Sequence, residues 1–214
     1  MLVIHHLGIS QSERIVWLCE ELNVPYQMIR YERDPVTRYA PPDYKALHPF
    51  GTAPVITDGA LVLGESGAIM DYIIHKHGGG RLTVTPDKPN YAEYLYWYHF
   101  ANASLMPASM VEIMLKMLGS TPEQEAGAKA LAARGNRAFD MMNQRLAKND
   151  YFAGSEFTAA DLIMFFPLTT MRVFVPRDLT PYPNIRAYLQ RVGSRPAYQR
   201  AMKKADPGLP LMLD

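Results

Sequence analysis

The sequence predicts an α/β domain followed by an all-α domain. Three observations lead there. Over the first 80 residues, short apolar runs alternate with segments of helical spacing. Residues 77–89 (His77-Gly78-Gly79-Gly80-Arg81-Leu82-Thr83-Val84-Thr85-Pro86-Asp87-Lys88-Pro89) then collect glycines and prolines without periodicity, the composition of a linker. Beyond it the apolar pattern is almost wholly helical, so the expected domains are residues 1–80 and 88–214. A chain of 214 residues suits two small domains, and an apolar fraction of 48% leaves enough surface for real cores.

The elements follow in order. Residues 2–6 are an apolar run of strand length. Residues 12–22 place Ile15, Trp17, Leu18, Cys19 and Leu22 near a spacing of 3.6, and Asn23-Val24-Pro25 stops that helix. A second strand is expected over 26–31, and a short helix with proline in its first turn over 41–47. Residues 53–57 and 60–63 flank Asp58-Gly59, a pair favoured in tight hairpin turns. A third helix over 66–76 completes the order βαβαββα. After the linker, helices are expected over 89–118, 121–148, 158–168, 183–192 and 195–203. The second of these opens on Ser120-Thr121-Pro122-Glu123, with a hydroxyl cap, an N1 proline and an acidic first turn. Thr158-Ala159-Ala160-Asp161 has the form of a capping box.

Composition excludes several classes. With 22 Lys+Arg against 21 Asp+Glu and no long run of one sign, no nucleic-acid surface is indicated. No stretch reaches the roughly 18 uninterrupted apolar residues of a membrane span. The only cysteine, Cys19, cannot form an intrachain disulfide, and the start has no signal-peptide pattern, so the cytosol is the expected compartment. Among the six histidines no spacing completes a metal-ligand set, so no metal is expected. Gly78-Gly79-Gly80 lacks the Lys-Ser or Lys-Thr of a phosphate loop.

Three places carry candidate chemistry. Pro54 has no N–H for a sheet and so marks an edge or a strand start; were the Ala53-Pro54 bond cis, the Ala53 main chain would turn outward toward a peptide-like ligand. Glu65-Ser66 lies where a strand gives way to a helix, as an ordinary cap or as a seat for an amino acid moiety, the carboxylate at the helix N-terminus and the ammonium on Glu65. Ser10 and Ser12 lie between the first strand and the first helix, as caps or as donors to a thiolate. Lowering a thiol pKa by about 2 units takes about 2.7 kcal/mol, within reach of one such bond plus a helix N-terminus. Cys19, deep in its helix and without a Cys-x-x-Cys partner, reads as a buried, inert hydrophobe. Met106, Met110, Met114 and Met117 share one helical face, suited to a core, an interface or an adaptable pocket, and Pro107 should kink that helix.

Taken in order, His48-Pro49-Phe50-Gly51-Thr52-Ala53-Pro54-Val55, Gly64-Glu65-Ser66-Gly67-Ala68-Ile69 and Phe157-Thr158-Ala159-Ala160-Asp161, on this succession of elements, resemble the soluble (cytosolic) glutathione transferase superfamily over essentially the whole chain. The similarity is to serine-type bacterial or fungal-like members. It implies a thioredoxin-like first domain that binds glutathione, a cis proline at Pro54, a helical second domain that builds the electrophile pocket, and a homodimer. By the same resemblance Glu65 and Ser66 hold the γ-glutamyl end, and the Ala53 main chain pairs with the cysteinyl part. Thr52 stands where Gln or Lys is usual, and Ala53 where Val is usual, which affects side-chain rather than main-chain contacts. Ser10 matches the thiol-activating position, with Ser12 as the fallback. His5-His6-Leu7 replaces the tyrosine that other classes carry. Asn102 and Met106 are expected on the electrophile side.

The expected function is conjugation of glutathione, as co-substrate, to small hydrophobic electrophiles. Two alternatives use the same fold: a glutathione-dependent peroxidase or disulfide reductase, and a non-catalytic binding or scaffold protein.

Overall fold

A computed structural model describes residues 1–119 and 126–214. The first strand, β1 (Leu2–Leu7), is buried along nearly its whole length, His5 and His6 included, because it is interior to the sheet. It pairs in parallel with β2 (Gln27–Tyr31), Val3 opposite Gln27, and antiparallel with β3 (Val55–Asp58), His5 opposite Val55. The crossover between β1 and β2 is α1 (Glu13–Leu22), closed by Asn23 in the left-handed conformation, a shape asparagine tolerates better than most residues. After β2 comes α2 (Pro42–Lys45), whose Tyr44 is buried with Leu7 and Val55. Antiparallel to β3 runs β4 (Leu61–Gly64), joined to it across the expected Asp58-Gly59 turn, and α3 (Ser66–Lys76) follows. The sheet order β2-β1-β3-β4 with the sequence βαβαββα is the thioredoxin-like arrangement that the resemblance implied. Pro54 precedes an interior strand, so of the two sites open to a sheet proline it occupies the strand start.

The three glycines after α3 end that helix as well as opening the linker. Gly78 and Gly80 donate their N–H groups to Ile73 and Ile74 carbonyls at 2.9 Å, while Gly79 and Gly80 adopt φ of 64° and 74°. A Cβ on Gly78 would lie 2.9 Å from the Ile74 carbonyl oxygen and 2.8 Å from a Leu22 methyl. Because one of those neighbours is backbone, Gly78→Ala should destabilise the protein by about 1–3 kcal/mol. A urea titration reads that loss directly. An unchanged midpoint would show that the helix end can shift without strain.

The second unit, Val84–Val192 with Met212–Asp214, is helical. It runs α4 (Tyr91–Phe100), a π-helical turn (Ala101–Leu105), α5 (Met106–Met117), α6 (Ala126–Leu146), α7 (Ala159–Leu168), a 3-10 turn (Thr170–Val173) and α8 (Pro183–Gly193). The expected helix over 89–118 is therefore one run interrupted by a π turn. Pro107 explains the interruption: its ring cannot approach the carbonyl four residues back, and the wider turn relieves that clash. The expected cap Ser120-Thr121-Pro122-Glu123 lies outside the described residues. All ten residues of α7 are buried, which accounts for its nearly unbroken apolar sequence. Beside it Phe152 packs on Trp97 and Tyr188, with ring centroids 4.9 and 5.0 Å apart.

The last helix, α9 (Pro196–Ala205), departs from the expected division at 80 and 88. The first unit comprises Met1–Thr83 together with Gly193–Leu211, so α9 belongs to it and not to the helical domain assigned to 88–214. Ala197, Tyr198, Ala201, Met202 and Ala205 form its buried face. Tyr198 meets Trp17 of α1 edge-on at 4.9 Å, and the Arg195 guanidinium forks onto both oxygens of Glu21 at 2.7 and 2.8 Å. Amphipathic spacing announces that a helix has a partner without saying which one, so this helix was assigned by its position in the chain.

Candidate functional site

The segment after β1 is held from several sides. Gly8 donates to the Tyr31 carbonyl at 3.0 Å, and Arg33 donates to the carbonyls of Gly8 and Ile9 at 2.8 and 3.1 Å. The Ile9 N–H reaches Asp206, just after α9, at 3.1 Å, and Ile9 itself sits at φ 53°. Two serine hydroxyls are thereby fixed at the entrance to α1. Ser10 Oγ donates to the Leu7 carbonyl at 2.7 Å, lies 2.7 Å from Ser12 Oγ and accepts the Ser12 N–H at 3.2 Å. Ser12 Oγ accepts the Leu7 N–H at 3.1 Å and lies 2.8 Å from His6 Nδ1. Ser12 thus makes no side-chain cap bond to α1, and the capping reading of that residue is not what its hydroxyl does. Both serines are enclosed, Ser12 at 0% exposure and Ser10 at 4%.

The second half of the expected site meets the first through a buried arginine. Arg14 Nη1 donates to Gln11 Oε1 at 2.6 Å and to Ser66 Oγ at 3.2 Å, tying the start of α1 to the start of α3. Ser66 is buried, whereas the Glu65 side chain is exposed. Glu65 has φ 67° and ψ 116°, a region that disfavours a residue with a Cβ and costs about 1–3 kcal/mol. The Ala53-Pro54 bond is cis, as the resemblance implied. Both ladders of β3 begin at Val55, so the half-buried Ala53 lies outside them, next to an exposed Thr52. His48 packs its ring over Gly64, where an added Cβ would come within 3.3 Å, and so braces the loop carrying Ala53 against the end of β4.

In the helical unit, Asn102 lies half-buried in the π turn. Met106 is buried with Phe166 and Met171. The rest of the methionine stripe, Met110, Met114 and Met117, is exposed. Cys19 is buried as expected, and burial pushes its thiol up to about 12, so no thiolate is available there for a dithiol mechanism. Sequence reasoning passed over His6, Arg14 and Asp206 as site residues. His6 enters the sequence reading only among the candidate metal ligands and in the segment that replaces a tyrosine, and Asp206 stands 200 residues from its partner with no motif to connect them.

Comparison with known proteins decides the family. The model described as "Glutathione S-transferase, N-terminal domain" matches residues 10–76, and "Glutathione S-transferase, C-terminal domain" matches residues 105–196. Glutathione S-transferase 3 of Schizosaccharomyces pombe is 35% identical, over 96% of this chain and 88% of its own. The chain belongs to the glutathione S-transferase family. Glutathione S-transferase 1 of Saccharomyces cerevisiae is 27% identical over 94% of both chains. The crystal structure of a glutathione S-transferase from Actinobacillus pleuropneumoniae superposes with a TM-score of 0.89 at 33% identity, covering 99% of this chain and 95% of that one. Among the described residues, no cluster of three or more His, Cys, Asp or Glu side chains is placed to hold a metal ion, and no helix is long and apolar enough to cross a membrane.

Proposed function

We propose that the chain is a glutathione transferase that conjugates the glutathione thiolate to small hydrophobic electrophiles. The observation that carries this reading is Glu65. An exposed carboxylate is kept at positive φ, at a steric cost, directly before the N-terminus of an 11-residue helix. That juxtaposition suits a group bearing both an ammonium and a carboxylate. The γ-glutamyl end of glutathione has both, with the carboxylate on the first N–H groups of α3 and on Ser66, and the ammonium on Glu65. The main chain of Ala53, with Thr52 and Pro54 beside it, lies free of the β3 ladders and suits the cysteinyl portion. Ser10 is the proposed donor to the thiolate, since of the two serines it is the one not wholly enclosed.

Bound glutathione supplies the sulfur nucleophile. The residues of the chain hold its charged end, exclude water around its thiol and present a hydroxyl proton to the sulfur. The second substrate's apolar contacts are assigned to the helical unit, with Asn102 and Met106 as the candidates. The same reading carries a cytosolic homodimer with a role in detoxification.

Calorimetric titration with glutathione tests it. The unaltered protein should bind, and Glu65→Gln should weaken binding about tenfold or more through loss of one charge-assisted contact. Undiminished affinity in Glu65→Gln would remove Glu65 from the site. Parallel assays with an aryl halide, a hydroperoxide and a glutathionyl disulfide should rank conjugation first.

A further inference from the structure

His6 and Asp206 form a buried polar pair that the proposed chemistry has not used. His6 Nε2 lies 3.2 Å from Asp206 Oδ2, with both side chains almost fully enclosed. A buried ionisable pair is a poor stabilising device compared with apolar packing, so its presence at the end of a hydrogen-bond chain invites a chemical reason. Asp206 is anchored through its other oxygen, which accepts from the Ile9 N–H at 3.1 Å and from Arg30 Nη2 at 3.3 Å. Gly8 leaves room for this arrangement: a Cβ there would come within 3.1 Å of Arg30 Nη2 and 3.5 Å of Asp206 Oδ1. Burial pushes the Asp206 carboxyl up, but His6, the Ile9 N–H and Arg30 outweigh that and hold it below the usual carboxylate range.

The protons can be assigned by counting donors. An ionised Asp206, its Oδ2 3.2 Å from His6 Nε2 in an ion-pair contact without hydrogen-bond alignment, favours the tautomer protonated at Nε2, which leaves Nδ1 as an acceptor. The proton between Nδ1 and Ser12 Oγ, 2.8 Å apart, then belongs to Ser12. Ser12 Oγ is left to accept from the Leu7 N–H and, when the Ser10 hydroxyl turns from the Leu7 carbonyl to which it donates at rest, from Ser10, whose oxygen lies 2.7 Å away. Ser10 Oγ accepts the Ser12 N–H and keeps one lone pair, and of the two serines Ser10 is the one with any exposure. The result is one directed line, Ser10 to Ser12 to His6 to Asp206, with its outer end at the site.

We propose that this line is a proton relay for the thiol of the bound tripeptide, in which His6 and Asp206 act as positioning residues through Ser12 and Ser10. The inference rests on the reading of the chain as a glutathione-binding enzyme. The thiol S–H bond breaks and its proton passes to Ser10 Oγ; the Ser10 proton passes to Ser12 Oγ, and the Ser12 proton to His6 Nδ1. Three O–H or N–H bonds form while one S–H and two O–H bonds break, and no electrons change owner. The products are a thiolate facing the Ser10 hydroxyl and an imidazolium whose charge Asp206 balances. The other charged groups around the line are Arg30 on β2 with Glu32 paired to it, Arg33 against the Gly8 and Ile9 carbonyls, and Glu13 and Arg14 at the start of α1. All of these persist in the variants below.

The test is proton release. Glutathione is titrated into the protein in two buffers of different ionisation enthalpy, while ultraviolet absorbance counts the thiolate formed. The relay predicts thiolate formation without matching proton release, because the proton stays on His6. In His6→Gln the thiolate should form at a pH midpoint about one unit higher, with about tenfold less present below that midpoint, and each thiolate should release a proton. Asp206→Asn should shift the midpoint in the same direction by a smaller amount. One proton released per thiolate in the unaltered protein overturns the relay, whether or not either variant folds. An unmoved midpoint in a folded His6→Gln protein overturns it as well. Absence of glutathione binding by the unaltered protein would instead overturn the functional reading beneath it.

Discussion

Asp161→Ala is expected to lower the unfolding free energy of the chain by about 3–5 kcal/mol, because two buried main-chain donors lose their acceptor and each costs about 1–3 kcal/mol. Asp161 is wholly buried. One of its oxygens accepts the Phe152 N–H at 2.8 Å, and the other accepts the Thr158 N–H at 2.9 Å and the Thr158 hydroxyl at 3.1 Å. The Tyr188 hydroxyl adds a contact of 3.3 Å. One carboxylate therefore starts α7, pins the turn holding Phe152 and reaches α8. The capping box read from the sequence is only its local part. A urea titration of the variant measures the loss, and a change below about 1 kcal/mol would mean that the N–H groups find other partners.

The same residue carries a pH signature. Burial pushes the Asp161 carboxyl up to about 6 against the opposing effect of the hydrogen bonds it accepts. A folded-state value raised above the unfolded one gives stability that is complete below about 4 and is lost as the pH rises through about 6. Asp161→Asn cannot ionise. Its stability should therefore lack that decline, and subtracting its pH profile from that of the unaltered protein isolates it.

Ser10→Ala is expected to lower kcat/KM for conjugation by about 100- to 1000-fold, the range for removal of one donor aimed at developing or resident negative charge. Glutathione affinity should be nearly unchanged, since the proposed anchors of its charged end, Glu65 and Ser66, stay in place. Stability should move by only about 1 kcal/mol, the worth of its bond to the Leu7 carbonyl. Ser12→Ala should behave differently. It orphans the Leu7 N–H and leaves His6 Nδ1 without its neighbour, so folding suffers together with activity. Full activity in Ser10→Ala, with a folded but inactive Ser12→Ala, would transfer the donor role to Ser12.

How far the site could be read in advance depended on how local its signals were. Pro54 before a strand, Glu65-Ser66 before a helix and the serines after β1 are each visible because the residue type and the adjoining break in periodicity occupy the same few positions. The positive φ of Glu65 has no such signature, since a glutamate in that place reads as an ordinary cap. Arg14 belongs to no motif, being a charged residue in the first turn of α1. Only the approach of α3 turned it into the link between Gln11 and Ser66.

Element order, the βαβαββα pattern, the helical second half and the individual serines, glutamate and proline were set by sequence alone, because periodicity and turn chemistry act between residues close along the chain. The tertiary structure decided that α9 packs on α1 and not within the helical unit, and that Asp206 completes a line beginning at Ser10. Those outcomes depend on which amphipathic face meets which, and on contacts spanning almost 200 residues. Burial energy rewards any good apolar partner, so the choice among partners rests on shape and on polar groups that become neighbours only when the chain has folded.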